Sequence, residues 1–185
     1  EDNNITITRS RQSFTFPASF ILVAAQNPCP CGNFGEPQLE CVCHPSSIQR
    51  YKKKISGPLL DRIDLHISVP RLQYKEIFSE QSSEESSATV RERVNVARTV
   101  QAKRFGKSQT NNEMKPEQLK KFCAINKQCS ELLEQAANKY QLSGRSIHRI
   151  LKVSRTIADL AQSPKIELEH LAESLQYRLR EGTTA

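Results

Sequence analysis

Phe20-Ile21-Leu22-Val23-Ala24-Ala25-Gln26-Asn27-Pro28-Cys29-Pro30-Cys31-Gly32 is the stretch on which the fold turns. Its first six residues form an unbroken apolar run of strand length, the pattern of a strand covered on both faces in a parallel sheet. A core helix is the competing reading, but Pro28 would stop it within two turns. Polar residues at the carboxyl ends of such strands face the ligand crevice of an open α/β sheet, so Asn27 is a candidate site residue. The plainer reading is an Asn before Pro that only forms a turn.

Upstream, Ile5 and Ile7 alternate with Thr6 and Thr8 as in a half-buried strand, and Phe14, Phe16 and Pro17 extend the pattern to a hairpin. Downstream, Cys29-Pro30-Cys31 and Cys41-Val42-Cys43 flank nine residues that include Gly32, Gly35 and Pro37. Two thiolate pairs on a turn-rich loop suffice for a closed tetrahedral zinc site. With four sulfur ligands no position stays open for substrate or water, so the metal would be structural. The spacing is C-x-C at both ends rather than the commoner C-x₂-C, and His44 could replace one ligand. Reduced surface thiols, or a Cys31–Cys41 disulfide, are the alternatives. Cys123 and Cys129 sit in helical sequence and read as ordinary small core residues.

Residues 46–55 suit a short basic helix. Within it Arg50, Lys52, Lys53 and Lys54 are candidate phosphate contacts for a nucleic acid, or else a solvated helix face. Residues 65–69 alternate as a strand that Pro70 closes. Residues 79–87 contain no apolar side chain and read as a linker or mobile loop. The expected organisation is therefore 1–78, a linker at 79–87, and a helical domain at 88–185. In that domain Val90, Val94, Ala97 and Val100 recur at helical spacing, as do Leu132, Leu133, Ala136, Ala137 and Tyr140. Two more helices, about 144–161 and 167–180, are separated by Ser163-Pro164. On the first, Arg145, Arg149, Lys152 and Arg155 fall within about 120° of one another at about 100° per residue, opposite Ile147, Ile150, Val153, Ile157 and Leu160.

The chain has 185 residues, 37% hydrophobic and 25% charged, enough for one modest core or a small core and a second cluster. No apolar run approaches the roughly 20 residues of a membrane helix, and the acidic, polar start is unlike a signal peptide. A cytoplasmic protein with no membrane partner is the default expectation. The net charge of +7 favours an anionic partner such as DNA, though it also suits a protein that merely stays soluble.

The string Ile21 to Gly32, followed by Ser56-Gly57-Pro58-Leu59-Leu60-Asp61-Arg62-Ile63-Asp64-Leu65, closely resembles the AAA+ ATPases related to the magnesium-chelatase ATPase subunit, in the bacterial competence-protein branch. Residues 142–160, Leu-Ser-Gly-Arg-Ser-Ile-His-Arg onward, are similar to that family's lid domain. The resemblance implies an α/β fold: part of an AAA+ nucleotide-binding sheet with a zinc-binding loop, then an all-α helical lid. It implies that Asn27 is the sensor-1 residue orienting the attacking water and that Arg62 is the arginine finger of a neighbouring subunit's site. It further implies that Arg145 is the sensor-2, nucleotide-binding arginine. Read from the residues alone, Arg62 would pair with Asp61 or Asp64, and Arg145 would belong to a solvated basic face.

The resemblance also implies a parent that assembles with itself as a ring, a hexamer, uses ATP and Mg²⁺, and acts on DNA as a translocase or helicase. There are departures: no G-x-x-x-x-G-K-[ST] phosphate loop and no strand ending in paired acids. The chain alone is therefore expected not to hydrolyse ATP, and its start just before Ile5 reads as a truncation that leaves out the nucleotide-binding half. Two other readings stand beside this one: a non-enzymatic, zinc-stapled nucleic-acid-binding module, and a magnesium-chelatase subunit of pigment biosynthesis.

Overall fold

The computed structural model describes residues 4–9, 12–72, 85–106 and 108–178. They divide into two compact units, 1–54 and 55–185. Most of the expected linker, residues 79–84, and the end of the last expected helix, 179–180, lie outside the described residues.

In the first unit, β1 (Asn4–Arg9) and β2 (Gln12–Pro17) pair antiparallel, with Ile5 opposite Phe16 and Ile7 opposite Phe14. Strand alternation puts these four on one face and the hydroxyls on the other, where Thr6 meets Thr15 at 3.0 Å and Thr8 meets Ser13 at 2.9 Å. The hairpin is as expected; the half-burial is not, because Ile5 and Phe14 are each 53% exposed.

The larger correction concerns Phe20 to Ala25. Among the described residues the hairpin is the only sheet, and the apolar run is not a strand. Ile21 is 93% exposed and Val23 89%. An apolar run becomes a buried strand only where neighbouring strands take up its N–H and C=O groups and helices cover its faces, and no described residue does so. Helix α1 (Pro45–Lys52) closes the unit. It starts with Pro at its first position, buries Ile48, and carries Arg50 and Lys52 in its last turn, against the negative end of the helix dipole.

The second unit is helical: α2 (Gly57–Leu60, a single turn), α3 (Ser87–Phe105), a 3₁₀ turn (Asn111–Glu113), α4 (Pro116–Phe122), α5 (Lys127–Tyr140), α6 (Gly144–Leu160) and α7 (Leu168–Gln176). Side-chain oxygens mark several starts: Ser86, Asn126 and Ser143 each accept a backbone N–H of the following first turn. Helix α6 is central and packs on α3, α4, the 3₁₀ turn and α7. The core joins Met114, Leu119, Cys129, Leu133, Ile150 and Leu171; Cys123 and Cys129 are buried members, as expected.

Three expectations are corrected here. Residues 65–69 form no strand, and Leu65, Ile67 and Val69 are exposed, again for want of a neighbouring strand. Helix α3 buries Ala97 and Gln101, while Val90 and Val94 remain partly exposed. On α6 the buried stripe is not the apolar line through Val153, Ile157 and Leu160. It contains Ile150, Leu151, Ser154, Arg155, Ala158 and Asp159. Arg155 can be buried there because Asp159 accepts from its Nε at 3.1 Å and the carbonyls of Ser163 and Pro164 accept from its other nitrogens, at 2.6 and 3.1 Å. Asp159 also accepts from Arg104 and, at 2.8 Å, from Asn111. No helix among the described residues is long and apolar enough to cross a membrane.

Candidate metal centre and the arginine segment

The chain turns sharply at Cys29-Pro30-Cys31-Gly32, where the Gly32 N–H donates to the Cys29 carbonyl at 3.1 Å. Gly32 and Gly35 have φ of +86° and +89°, a region that a Cβ disfavours, so the loop needs glycine at both places. This fold-back gathers Cys29, Cys31, Cys41 and Cys43, whose sulfurs all lie within 4.8 Å of one another. Three of the separations are 3.3, 3.7 and 3.6 Å. A tetrahedron of Zn–S bonds of about 2.3 Å has S···S edges of about 3.8 Å, so the spacing is near what zinc requires. All four cysteines are free, including Cys31 and Cys41 of the alternative disulfide.

The donor set fits a thiophilic metal. Four soft sulfurs converge with no carboxylate among them. The Asn33 N–H, then the Cys29 thiol, bring Cys31 down to about 6. Desolvation pushes Cys43 up to about 12. Cys29 is fully buried and Cys31 exposed, so the cluster lies at the surface of the unit with one wall inside it. His44 is not in the cluster. Its Nδ1 caps α1, accepting from the Ser46 N–H at 3.3 Å.

Asn27 is exposed beside this loop, and a Cβ at Gly32 would lie 3.9 Å from its Nδ2. Arg50, Lys52, Lys53 and Lys54 are exposed at and just beyond the end of α1. Lys52 Nζ stands 5.1 Å from the Phe34 ring centroid and Lys54 Nζ 5.9 Å from that of Tyr51.

In the second unit Arg62 follows α2 and is exposed, its Nη1 donating to the Pro58 carbonyl at 2.9 Å. The ion pair with Asp61 or Asp64 does not form. Asp64 is engaged by Arg149 of α6 at 2.6 Å, and Asp61 lies 3.6 Å from Arg178, beyond α7. The same two arginines reach the backbone: Arg149 donates to the Arg62 carbonyl, and Arg178 donates to the carbonyls of Ile63 at 2.6 Å and Asp61 at 3.0 Å. Arg145 is exposed in the first turn of α6. Sequence reasoning assigned Arg149 to a basic face and did not single out Arg178; their partners lie 85 and 115 residues away, where no local pattern connects them.

Comparison with known proteins brings these observations under one family. Residues 84–178 match the model for the C-terminal part of magnesium chelatase subunit ChlI, and residues 1–77 match the model for magnesium chelatase subunit ChlI. The chain is 43% identical over 178 residues to competence protein ComM of Haemophilus influenzae, which covers 96% of this chain and 34% of that protein. It is 38% identical over 178 residues to the uncharacterized protein YifB of Escherichia coli and 37% identical over 179 residues to YifB of Salmonella typhimurium, again over 96% of this chain and 34% of each relative. The chain thus spans about a third of the length of the curated relatives it matches. With both parts matched in order and similarity running through nearly its whole length, the chain belongs to the magnesium chelatase ChlI family, among the relatives of the competence proteins.

Proposed function

We propose that this chain is the C-terminal part of a ring-forming AAA+ ATPase that moves along or unwinds DNA, with Arg62 as its arginine finger. The observation that carries the reading is the state of Arg62. Its guanidinium is exposed and no carboxylate pairs with it among the described residues, while the aspartates on either side are taken by other arginines. A solvent-facing arginine on a braced backbone suits a group that must reach a neighbouring subunit's nucleotide and stabilise charge on the transferred phosphoryl group. On this reading Asn27 orients the attacking water, and Arg145, in the first turn of α6, senses the nucleotide. ATP and Mg²⁺ bind through a phosphate loop in a part of the longer protein that this chain does not cover. Neighbouring strands in that same part would let the run Phe20 to Ala25, which forms no strand here, pair as one in the longer protein.

The other residues take supporting roles. A structural zinc held by Cys29, Cys31, Cys41 and Cys43 ties the loop together, in keeping with a reducing, cytoplasmic setting. The cationic end of α1 contacts DNA phosphates. The ring is a hexamer of identical subunits.

The test is made in the full-length protein. Arg62→Ala should lower ATP turnover by about 10³-fold with little change in nucleotide affinity, because a finger acts on charge that develops in the transition state. An Arg62→Ala subunit mixed with one lacking the phosphate-loop lysine should regain turnover at interfaces where the two complement. Assembled mixed rings that stay inactive would remove Arg62 from the active site.

A further inference from the structure

We infer that Arg149, aided by Arg178, is a positioning residue for Arg62: it fixes the backbone from which the finger projects and so ties the finger to helices α6 and α7. The inference rests on the finger reading and adds to it a named device for setting the finger's aim. Three consecutive carbonyls, those of Asp61, Arg62 and Ile63, are held by guanidinium groups, and none of these donors comes from the segment itself. Arg149 Nη1 reaches both the Arg62 carbonyl and the Asp64 carboxylate. Arg178 is buried, and beyond the carbonyls of Asp61 and Ile63 it donates to Ser146 Oγ at 3.0 Å, in the first helical turn of α6. The chain after the segment is pinned as well, with the His66 N–H donating to the Tyr177 carbonyl at 2.8 Å.

Charge-assisted hydrogen bonds are short, directional and stronger than neutral ones, so a segment held by several has little freedom to tilt. The exposed Arg62 side chain takes no part in this arrangement, its Nη1 donating to the Pro58 carbonyl at 2.9 Å. Any shift of α6 therefore moves the base of Arg62 with it. A finger displaced by about 1 Å can lose on the order of 10²-fold in rate.

The experiment compares Arg149→Ala, Asp64→Ala, the double variant and Arg62→Ala in the full-length protein, with kcat and KM for ATP measured on assembled rings. Arg149→Ala should lower kcat by up to about 10²-fold, less than Arg62→Ala, with KM changed by no more than about twofold. Asp64→Ala should lower kcat less, and the double variant should be no slower than Arg149→Ala, because the two residues act through one contact. In mixed rings with the subunit lacking its phosphate-loop lysine, Arg149→Ala should regain turnover as Arg62→Ala does. Unchanged kcat, additive losses, or no regain where Arg62→Ala regains would overturn the proposal; the last would place Arg149 at its own subunit's nucleotide. Failure of Arg62→Ala itself to regain would instead overturn the finger reading on which the proposal stands. Should Arg149→Ala rings not assemble, Arg149→Lys keeps a donor for the Arg62 carbonyl and should retain at least a tenth of wild-type kcat; a loss as deep as that of Arg62→Ala would equally overturn the proposal.

Discussion

Arg50, Lys52, Lys53 and Lys54 show how far a residue-scale reading reaches. Two of them, Arg50 and Lys52, would earn their place at the end of α1 through the helix dipole alone. Lys53 and Lys54 lie beyond the helix, and together the four leave the surface there without a neighbouring carboxylate in the run from Pro45 to Ile55. A stripe that contacts phosphates is distinguished from a solvated one by its salt dependence. On the DNA contact proposed for this stripe, changing Lys52, Lys53 and Lys54 together to Glu should abolish binding of this chain to a labelled duplex, measured by fluorescence anisotropy. The logarithm of the wild-type association constant should fall linearly with the logarithm of salt concentration, with a slope of about 0.9 per phosphate contacted, and should not depend on sequence. Unaltered affinity in the triple variant would move the contact elsewhere. At this scale the sequence was informative where partners are close in the chain. The four cysteines fall within fifteen residues, so their meeting could be foreseen. The partners of Arg149 and Arg178 could not, since a guanidinium that binds a distant carbonyl leaves no local trace.

At the scale of elements, the longer helices were legible and the strands mostly not. A helix satisfies its own backbone, so periodicity nearly locates it, and in the structure Ser143 and Asn126 cap two of the starts. A strand depends on neighbours, so Phe20 to Ala25 has the pattern without the structure, whereas the hairpin carries its partner next to it. Helix α6 shows a subtler failure. Its buried face was read from apolar residues, but Arg155 and Asp159 belong to it because their charges are matched. Asp159 is fully buried and accepts from two arginines and an amide. Asp159→Ala should therefore destabilise the helical unit by about 3–5 kcal/mol, leaving buried guanidinium charge uncompensated. Glu131→Ala serves as the contrast, since its pair with Lys127 is long, 3.9 Å, and exposed, and should cost less than about 0.5 kcal/mol. Urea unfolding followed by circular dichroism checks both, and similar midpoints for the two variants would refute the account.

Over the whole molecule, the two units are held by different means. The helical unit has a core built from its own residues, from Met114 to Leu175. Residues 103–126, where the sequence marks only Cys123 as a core residue, supply Met114 and Leu119 to it as well, because single apolar residues on short helices and turns make no periodic signal. The first unit buries only Cys29 and Ile48 among its described hydrophobic residues, too little to order a loop as long as that from Asn27 to Pro45. A metal would supply what is missing, since binding that requires the folded loop contributes its free energy to folding it. Elemental analysis under reducing conditions should find about one zinc per chain, lost in Cys29→Ser or on treatment with a strong chelator. Loss of zinc should broaden or shift the backbone amide resonances of residues 27–54, while those of α5, α6 and α7 stay in place and the thermal midpoint of the helical signal is unchanged. A metal-free protein with the same resonances in the cysteine loop would overturn the zinc assignment. A helical midpoint that falls as zinc leaves would show instead that the core from Met114 to Leu175 does not by itself set the stability of its unit.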